Sequence, residues 1–138
     1  MLEYMYDHHV LKGGAGDEHK LYTTYLASAF RSMRFGIKEA HGKGMALQFN
    51  YLMDQGGFVA NPDGTYAVNF DKIKPAVQNL VHELLTIEAT GDYTRAQHML
   101  GELSVIRPGL ATTFASLSDI PVDIEPQFTT ASKLLPNH

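Results

Sequence analysis

The chain has 138 residues, of which 44% are hydrophobic and 19% are charged, a balance typical of one globular domain rather than a disordered chain. Its formal net charge of −4 argues against a protein that binds duplex nucleic acid, because such proteins carry a basic surface. The absence of cysteine excludes disulfides and thiolate metal sites, and no apolar run reaches the ~20 residues that a membrane span needs. We therefore expect a cytoplasmic protein that binds neither nucleic acid nor membranes.

Two helices are predicted in the first part of the chain. The apolar residues between Leu2 and Leu11 predict a helix to about Lys12, where the glycine-rich loop 13–16 ends it. No capping residue precedes this helix, so we expect the chain to be a piece excised from a larger helical lobe. Asp17 is predicted to cap the second helix. Its apolar side chains recur at steps of three and four residues, namely Leu21, Tyr22, Tyr25, Leu26, Ala29, Phe30, Met33 and Ile37.

Residues 39–52 have a helical apolar pattern that two glycines interrupt. Inside a helix, Gly42 and Gly44 would each cost about 1 kcal/mol relative to alanine. The stretch is therefore either one helix with a close backbone contact at the glycines or two helices joined there. The Gly56-Gly57 pair is predicted to end it.

Residues 58–70 are predicted to form a β-hairpin. The sequence NPDG at residues 61–64 matches a type I turn, with proline at its second position and glycine at its fourth. Tyr66, Val68 and Phe70 alternate as a returning strand requires. Because two strands alone are only marginally stable, we expect the hairpin to pack on helices.

The next helix is predicted to begin after Asp71, as its cap, with Pro75 in the first turn. Its inner face is predicted to comprise Ile73, Val77, Leu80, Leu84 and Ile87, widened by Val81 and Leu85. The Gly91-Asp92 pair ends this helix and caps the following one. The inward residues of that helix are predicted to be Ala96, Met99, Leu100 and Leu103.

A short helix is predicted to begin at Pro108, because proline suits the first helical position. Leu110, Phe114 and Leu117 should face its core. The tail contains Pro121, Pro126 and Pro136, and we expect it to lie extended over the surface. The predicted fold is thus mainly α: a helical array with one small β-hairpin.

Residues 81–88, VHELLTIE, place His82-Glu83 at the start of an apolar helical run, as many zinc peptidases do. The zinc motif needs a second histidine four residues after the first, so that both imidazoles share one helix face. That position is Thr86. We therefore interpret His82 and Glu83 as an exposed pair on a helix flank rather than as a metal ligand and a general base.

Three other histidines are interpreted as surface residues. His8 and His9 point about 100° apart on a helix and cannot easily share one metal ion. His19 lies on the other side of the first glycine loop.

Arg31 and Arg34 lie one turn apart on the second helix and have the spacing to hold a carboxylate or phosphate. We favour ordinary salt bridges for this pair, with Glu39 or Asp54 as partners.

His41 is the histidine whose role the spacing leaves open. Next to Gly42, which has no side chain, its ring can face a cleft and donate a hydrogen bond to a carbonyl or an oxyanion. The alternative is a core histidine that is hydrogen-bonded to a backbone carbonyl.

Three stretches together resemble one known family. They are FRSMRFG at residues 30–36, EAHGKG at 39–44 and QFNYL at 48–52. In order and spacing they resemble the C-terminal region of the dipeptidyl peptidase III family of zinc peptidases. The likeness is greatest to the bacterial and plant branch, in which this region can follow a Nudix hydrolase domain, and it ends near Ile124.

The resemblance implies a two-lobed, largely helical peptidase with zinc bound in its helical lobe. Two histidines and a glutamate hold the metal in that family, in HExxGH-type and EExxA-type motifs that precede the region seen here. We therefore expect residues 1–138 to be one helical domain, the C-terminal part of a longer Nudix or dipeptidyl peptidase III-like protein. The chain itself would hold no metal or other cofactor, and zinc would belong to the parent.

The resemblance also implies a site, because family members place a histidine equivalent to His41 against the bound peptide near the scissile carbonyl. We therefore predict that His41 binds substrate in the parent as the one transition-state contact. Arg34 and Asn50 are also predicted to bind substrate there. Animal members carry a basic residue where Met45 stands here, and an arginine near the C-terminus that has no counterpart after Arg107.

The chain alone is expected to be inactive, and three partners are expected. They are the remainder of the parent chain, a peptide substrate in the parent and a second copy of this chain that docks through exposed apolar surface. Two other functions stay open, a non-catalytic helical scaffold and a regulatory domain of a Nudix hydrolase. The glutamate-rich Nudix helix is missing from this sequence, so such a domain would not cleave nucleotides itself.

Overall fold

The structure is a computed structural model that describes residues 2–13, 15–123 and 130. In chain order, the elements of this part are α1 (Leu2–Asp7), α2 (Ala15–Arg34), α3 (Ala40–Asp54), β1 (Phe58–Ala60), β2 (Tyr66–Val68), α4 (Ile73–Thr90), α5 (Tyr93–Leu103) and α6 (Pro108–Ser116). The prediction of a mainly α fold with one small β-hairpin is confirmed. Among the described residues, no helix combines the length and apolar character that a bilayer crossing requires.

The helix α3 lies at the centre of the fold, in contact with α2, α4, α5 and β1. A helix enclosed on so many sides needs apolar residues around most of its circumference. Its buried residues are Gly42, Ala46, Leu47, Phe49, Asn50 and Leu52. Of the apolar residues predicted to face inward from α2, Tyr22, Leu26, Ala29 and Met33 are buried. The others are half-buried, and Ile37 lies beyond the end of the helix at Arg34.

The stretch with two glycines forms one helix, so the first of the two alternatives is confirmed. Only Gly42 makes the close backbone contact that this alternative requires. A Cβ atom on Gly42 would lie 1.9 Å from the carbonyl oxygen of Gly36, whereas one on Gly44 would have no neighbour within 4 Å. As predicted, the helix ends just before the Gly56-Gly57 pair.

The hairpin β1–β2 is antiparallel, and Phe58 lies opposite Val68. The predicted turn is confirmed, because the amide of Gly64 donates to the carbonyl of Asn61 over 3.0 Å. The buried ring of Phe58 joins the helical core, as expected for a hairpin that packs on helices. Phe70 lies beyond the strand rather than within it and is exposed.

The first helix is shorter than predicted, ending at Asp7 instead of Lys12. His9 has a φ angle of 55°, in the left-handed region that histidine enters more readily than most residues. The amides of Val10 and Leu11 then both donate to the carbonyl of Met5, which closes the helix end.

Two predicted caps are also wrong. Asp17 lies inside the first turn of α2, which begins at Ala15. The residue before α4 is Lys72, whose side chain makes no capping hydrogen bond. In place of an Asp71 cap, the amide of Ile73 donates to the backbone carbonyl of Asn69 over 2.8 Å.

The later helices begin and end largely as predicted. Gly91 takes the left-handed conformation at the end of α4, with φ 64°, and the Asp92 side chain accepts a hydrogen bond from the amide of Arg95. Pro108 occupies the first turn of α6, and Leu110 is buried. In the tail, Pro126 and Pro136 lie outside the described residues.

The inner faces of α4 and α5 are narrower than predicted. On α4, Ile73, Leu80 and Ile87 are buried as predicted, and Ala76 joins them. Leu84 of α4 is 40% exposed and Leu100 of α5 is 47% exposed, although both were predicted to face inward. For Leu84 the reason is geometric, because α4 packs on α3 and α5 and no described element covers the side on which Leu84 lies. Val81 and Leu85 are exposed on that side as well.

An ion pair links the end of α3 to the start of α6. The guanidinium of Arg107 donates to both carboxylate oxygens of Asp54, over 2.6 and 2.8 Å. The expected pairing of Asp54 with Arg31 or Arg34 is therefore wrong. These hydrogen bonds, and then the charge of Arg107, hold the pKa of Asp54 below its usual range.

Leu52, which is fully buried in α3, and the exposed Leu85 of α4 allow a matched test of the core. We expect Leu52→Ala to lower the free energy of unfolding by about 2–5 kcal/mol, because it removes buried apolar area and leaves a cavity. Leu85→Ala should change it by less than about 0.5 kcal/mol. Urea denaturation followed by circular dichroism measures both, and equal losses would contradict this description of the core.

The Asp54–Arg107 pair predicts a pH-dependent contribution to stability. Because the folded state lowers the pKa of Asp54, the pair stabilises the fold above about pH 4, the ordinary aspartate pKa. That contribution is lost as the pH falls through the lowered value. Both side chains are partly exposed, so we expect Asp54→Asn to lower the free energy of unfolding by only about 0.2–1 kcal/mol at pH 7.

At a second, acidic pH below the lowered pKa of Asp54, the wild-type carboxyl is protonated and the effect of Asp54→Asn should disappear. Denaturant unfolding at the two pH values measures it. As a control, Asp54→Asn should have no effect at pH 7 when Arg107 has already been changed to Gln. A loss that is the same at both pH values would contradict the prediction.

Candidate functional site

His41 lies in the first turn of α3 with its side chain exposed. Among the described residues, none donates to or accepts a hydrogen bond from its ring. The alternative of a core histidine bound to a backbone carbonyl is therefore wrong. His41 has the accessibility that contact with a ligand requires.

The backbone beneath His41 is held by a close contact between two glycines. Gly42 is buried although its neighbours His41 and Lys43 are exposed, because it presses on the carbonyl of Gly36 in the loop that joins α2 to α3. Gly36 has a φ angle of 113°, which glycine adopts far more easily than other residues. Its amide donates to the carbonyl of Met33 over 3.0 Å, which ties the loop to the buried end of α2.

Arg34 caps the C-terminal end of α6 with its side chain. Its guanidinium donates to the carbonyl of Leu117 over 2.8 Å and to the carbonyl of Ile120. A cation suits this position because the last carbonyls of a helix carry partial negative charge. Arg31, one turn earlier, instead pairs with Asp123 over 3.4 Å, so the expected partner Glu39 is wrong for both arginines.

Asn50 is buried in the middle of α3, with 1% of its surface exposed. Its Nδ2 atom donates to the carbonyl of Leu103 over 2.7 Å and to that of Val105 over 2.9 Å. These two bonds hold the junction between α5 and α6 against α3. The Oδ1 atom of Asn50 and the Oγ atom of Ser104 are buried without a hydrogen-bond partner among the described residues.

The three residues predicted to bind substrate therefore have different surroundings. His41 and Asn50 are nine residues apart on one helix, about 13 Å along its axis, and Arg34 is at the end of α2. Only His41 has a side chain that is both exposed and without a partner in the described part of the chain. The donors of Arg34 and Asn50 are engaged by backbone carbonyls.

The prediction of an exposed pair is confirmed for His82 but not for Glu83, which is half-buried beside α5. Glu83 accepts two hydrogen bonds from Arg95 of α5, over 2.7 and 2.5 Å, and His82 is exposed. Within residues 2–13 and 15–123, no three side chains of histidine, aspartate or glutamate converge on one point. The described residues thus lack the ligand set of a zinc site.

His8, His9 and His19 are on the surface, as predicted. The ring of His8 lies 4.0 Å from that of Tyr4, measured between centroids. His19 stacks on Phe70 at 3.9 Å. His9 is exposed in the turn after α1.

Sequence reasoning missed an apolar groove of about 390 Å³ between α1, α2 and α4. The signal was present in the wide apolar stripe of α4, which was interpreted as core. The lining residues are Glu3, Leu21, Tyr22, Tyr25, Gln48, Val77, Leu80, Val81 and Leu84. A neighbouring recess of about 340 Å³ shares Glu3, Val77 and Val81 and continues the groove along α4.

Two tyrosines of the groove are partly desolvated. The Tyr25 hydroxyl donates to Oε1 of Gln48 over 2.6 Å, and burial raises the pKa of Tyr25 to about 12. Burial also raises the pKa of Tyr22, and the hydrogen bond that its hydroxyl donates to the carboxylate of Glu3 raises it further. The groove is therefore apolar along most of its length and negatively charged at Glu3.

Comparison with known proteins gives three relatives, and no protein-family model matches the sequence. Nudix hydrolase 3 of Arabidopsis thaliana is 47% identical over 117 residues, which are 83% of this chain and 15% of that protein. The structure of dipeptidyl-peptidase III from Corallococcus sp. strain EGB matches with a TM-score of 0.84 and 43% identity, over 96% of this chain and 24% of that one. The structure of DPP III from Caldithrix abyssi matches with a TM-score of 0.83 and 39% identity, over 95% and 25%.

The chain thus spans no more than a quarter of the length of each of these relatives. The identity is far above the level at which a shared fold alone would be inferred, and the likeness extends over nearly the whole chain. Sequence and structure together show that the chain is a dipeptidyl-peptidase III-like polypeptide.

Proposed function

We propose that this chain forms one wall of the substrate cleft in a longer dipeptidyl-peptidase III-like zinc peptidase. The observation that carries the proposal is His41, an exposed histidine on a firmly held helix start, in a chain that resembles dipeptidyl-peptidase III along most of its length. In this proposal the zinc ligands lie outside the chain, and zinc supplies the polarisation of the peptide bond. The proposed location is the cytoplasm, which the cysteine-free sequence fits.

The proposed role of His41 is to donate a hydrogen bond to the carbonyl oxygen of the peptide bond that is cleaved. Negative charge develops on that oxygen in the transition state, so a donor held in place beforehand lowers the barrier. Two features support this role, the absence of a partner for the ring among the described residues and the rigid support of the adjacent Gly42.

The assignment of Arg34 and Asn50 to substrate binding stays a prediction. Their hydrogen bonds to backbone carbonyls support a different contribution, in which they position α6 and the α5–α6 junction beside α3. In the proposal, His41 is therefore the only direct contact with substrate, and Arg34 and Asn50 act by holding the wall of the cleft together.

The apolar groove between α1, α2 and α4 is proposed to pack against the remainder of the parent protein. An exposed, contiguous row of apolar side chains usually marks an interaction surface. Leu84, Val81 and Leu85 form such a row on α4. In the isolated chain the same row would be free to associate with a second copy.

His41→Ala in the longer peptidase is expected to lower kcat by about 10²–10³, because one transition-state hydrogen-bond donor is lost. His82→Ala serves as the matched control, since His82 is also an exposed histidine on a helix. The peptidase activity of this variant should stay at the wild-type level. Steady-state hydrolysis of a chromogenic dipeptidyl amide measures both variants. Unchanged kcat in His41→Ala, or chelator-sensitive peptidase activity in the 138-residue chain alone, would contradict the proposal.

The groove predicts that the isolated chain self-associates and that Leu84→Glu makes it monomeric, because a charge in the apolar row opposes burial. Leu100→Glu is the control, as Leu100 is similarly exposed but does not line the groove. Light scattering coupled to gel filtration gives the mass of each variant. A wild-type chain that is monomeric at millimolar concentration would count against the groove as an interaction surface.

The relationship to Nudix hydrolase 3 favours a second candidate, a regulatory or scaffolding domain in a Nudix protein. This candidate predicts a different pattern in a Nudix-containing parent. His41→Ala would leave peptide hydrolysis unaffected, whereas deletion of this domain would alter the steady-state rate of nucleotide hydrolysis. Unchanged nucleotide kinetics after the deletion would count against it.

A further inference from the structure

The contact between Gly42 and Gly36 is closer than any side chain would permit. A Cβ atom on Gly42 would lie 1.9 Å from the oxygen and 2.8 Å from the carbon of the Gly36 carbonyl, and 3.0 Å from Cα of Ile37. All three neighbours are backbone atoms, so no rotation of a side chain can relieve the overlap. A residue larger than glycine would force the helix start and the loop apart by about 1 Å or more.

The loop side of this contact is itself restrained. Gly36 has the left-handed φ angle of 113°, and its amide is bonded to the carbonyl of Met33, whose side chain is buried in the core. The Gly36 carbonyl is therefore restrained at the point where the first turn of α3 contacts it. Ile37, the next residue of this loop, also packs against the core. The Gly36 carbonyl therefore has little freedom to move away from α3.

The helix side carries His41 directly next to the contact. Successive side chains on a helix point about 100° apart, so Gly42 can press on the loop while the His41 ring faces outward. Any shift of the Gly42 backbone moves the Cα atom of His41 with it. The next packed residues of α3, Met45 and Ala46, lie about one turn further along, so Gly42 is the close contact nearest to His41.

We propose that Gly42 is a positioning residue, whose missing side chain allows α3 to rest on the Gly36 carbonyl and thereby sets the place of the His41 ring in the cleft. This inference rests on the proposed role of His41. It explains how the fold holds the His41 ring accurately in place. That accuracy matters because a misplacement of about 1 Å can cost about 10²-fold in rate.

The test compares Gly42→Ala with Gly44→Ala in the longer peptidase. Gly44 lies on the same helix, two residues on, and a Cβ atom there would meet nothing within 4 Å. Gly42→Ala is expected to lower kcat about 10- to 100-fold with a much smaller change in KM, because ground-state binding uses many contacts. Gly44→Ala should leave both constants unchanged, and wild-type kinetics in Gly42→Ala would overturn the inference.

A double-mutant cycle separates positioning from a general loss of stability. In a His41→Ala background, Gly42→Ala should have no further effect on kcat, because the group that it positions is already absent. If Gly42→Ala lowers kcat equally in both backgrounds, the inference is wrong while the proposed function stands. If His41→Ala alone has no effect, the proposed function itself fails.

A second variant covers the case in which Gly42→Ala does not fold. Gly36→Ala strains the loop through its positive φ angle rather than through overlap, since a Cβ atom there would meet nothing within 4 Å. It displaces the same carbonyl from the opposite side and should lower kcat only while His41 is present. A folded Gly36→Ala variant with the wild-type kcat would contradict the inference.

Discussion

The burial of α3 is the constraint on which the rest of the structure depends. This helix is in contact with α2, α4, α5 and β1, so its sequence must be apolar or small on several faces at once. Two of its polar residues form hydrogen bonds to other parts of the fold. Asn50 holds two carbonyls of the α5–α6 junction, and Asp54 holds Arg107 at the start of α6. Polar atoms on α3 thus help to hold the start of α6 in place.

The first turn is the exception to this enclosure. Here His41 faces outward, while the backbone at Gly42 packs closely on the loop from α2. A residue that contacts a substrate needs an exposed side chain on a backbone that does not move, because reaction rates are sensitive to small displacements. The pairing of an exposed histidine with a buried glycine places an accessible side chain beside a closely packed backbone.

The helix α4 is enclosed on one side only. Its buried residues face α3, but Leu84 and its neighbours on the other side form an apolar groove with α1 and α2. Single exposed apolar residues are common on protein surfaces, whereas a contiguous row next to a groove indicates a surface that packs against something else. The matching dipeptidyl-peptidase III chains are about four times as long as this one.

The sequence by itself determined which segments are helical, where the hairpin lies and which family the chain resembles. Periodicity located α2 and α3, NPDG located the turn, and the EAHGKG stretch directed attention to His41. These features are local, since propensity, turn chemistry and spacing act over a few neighbouring residues. The hydrogen-bond partners of Arg34 and Asn50 were beyond such reasoning, because they come from residues 53 to 86 positions away. For the same reason only the tertiary structure decided that Leu84 is exposed and that Gly42, but not Gly44, rests on another backbone: both depend on which elements meet in space.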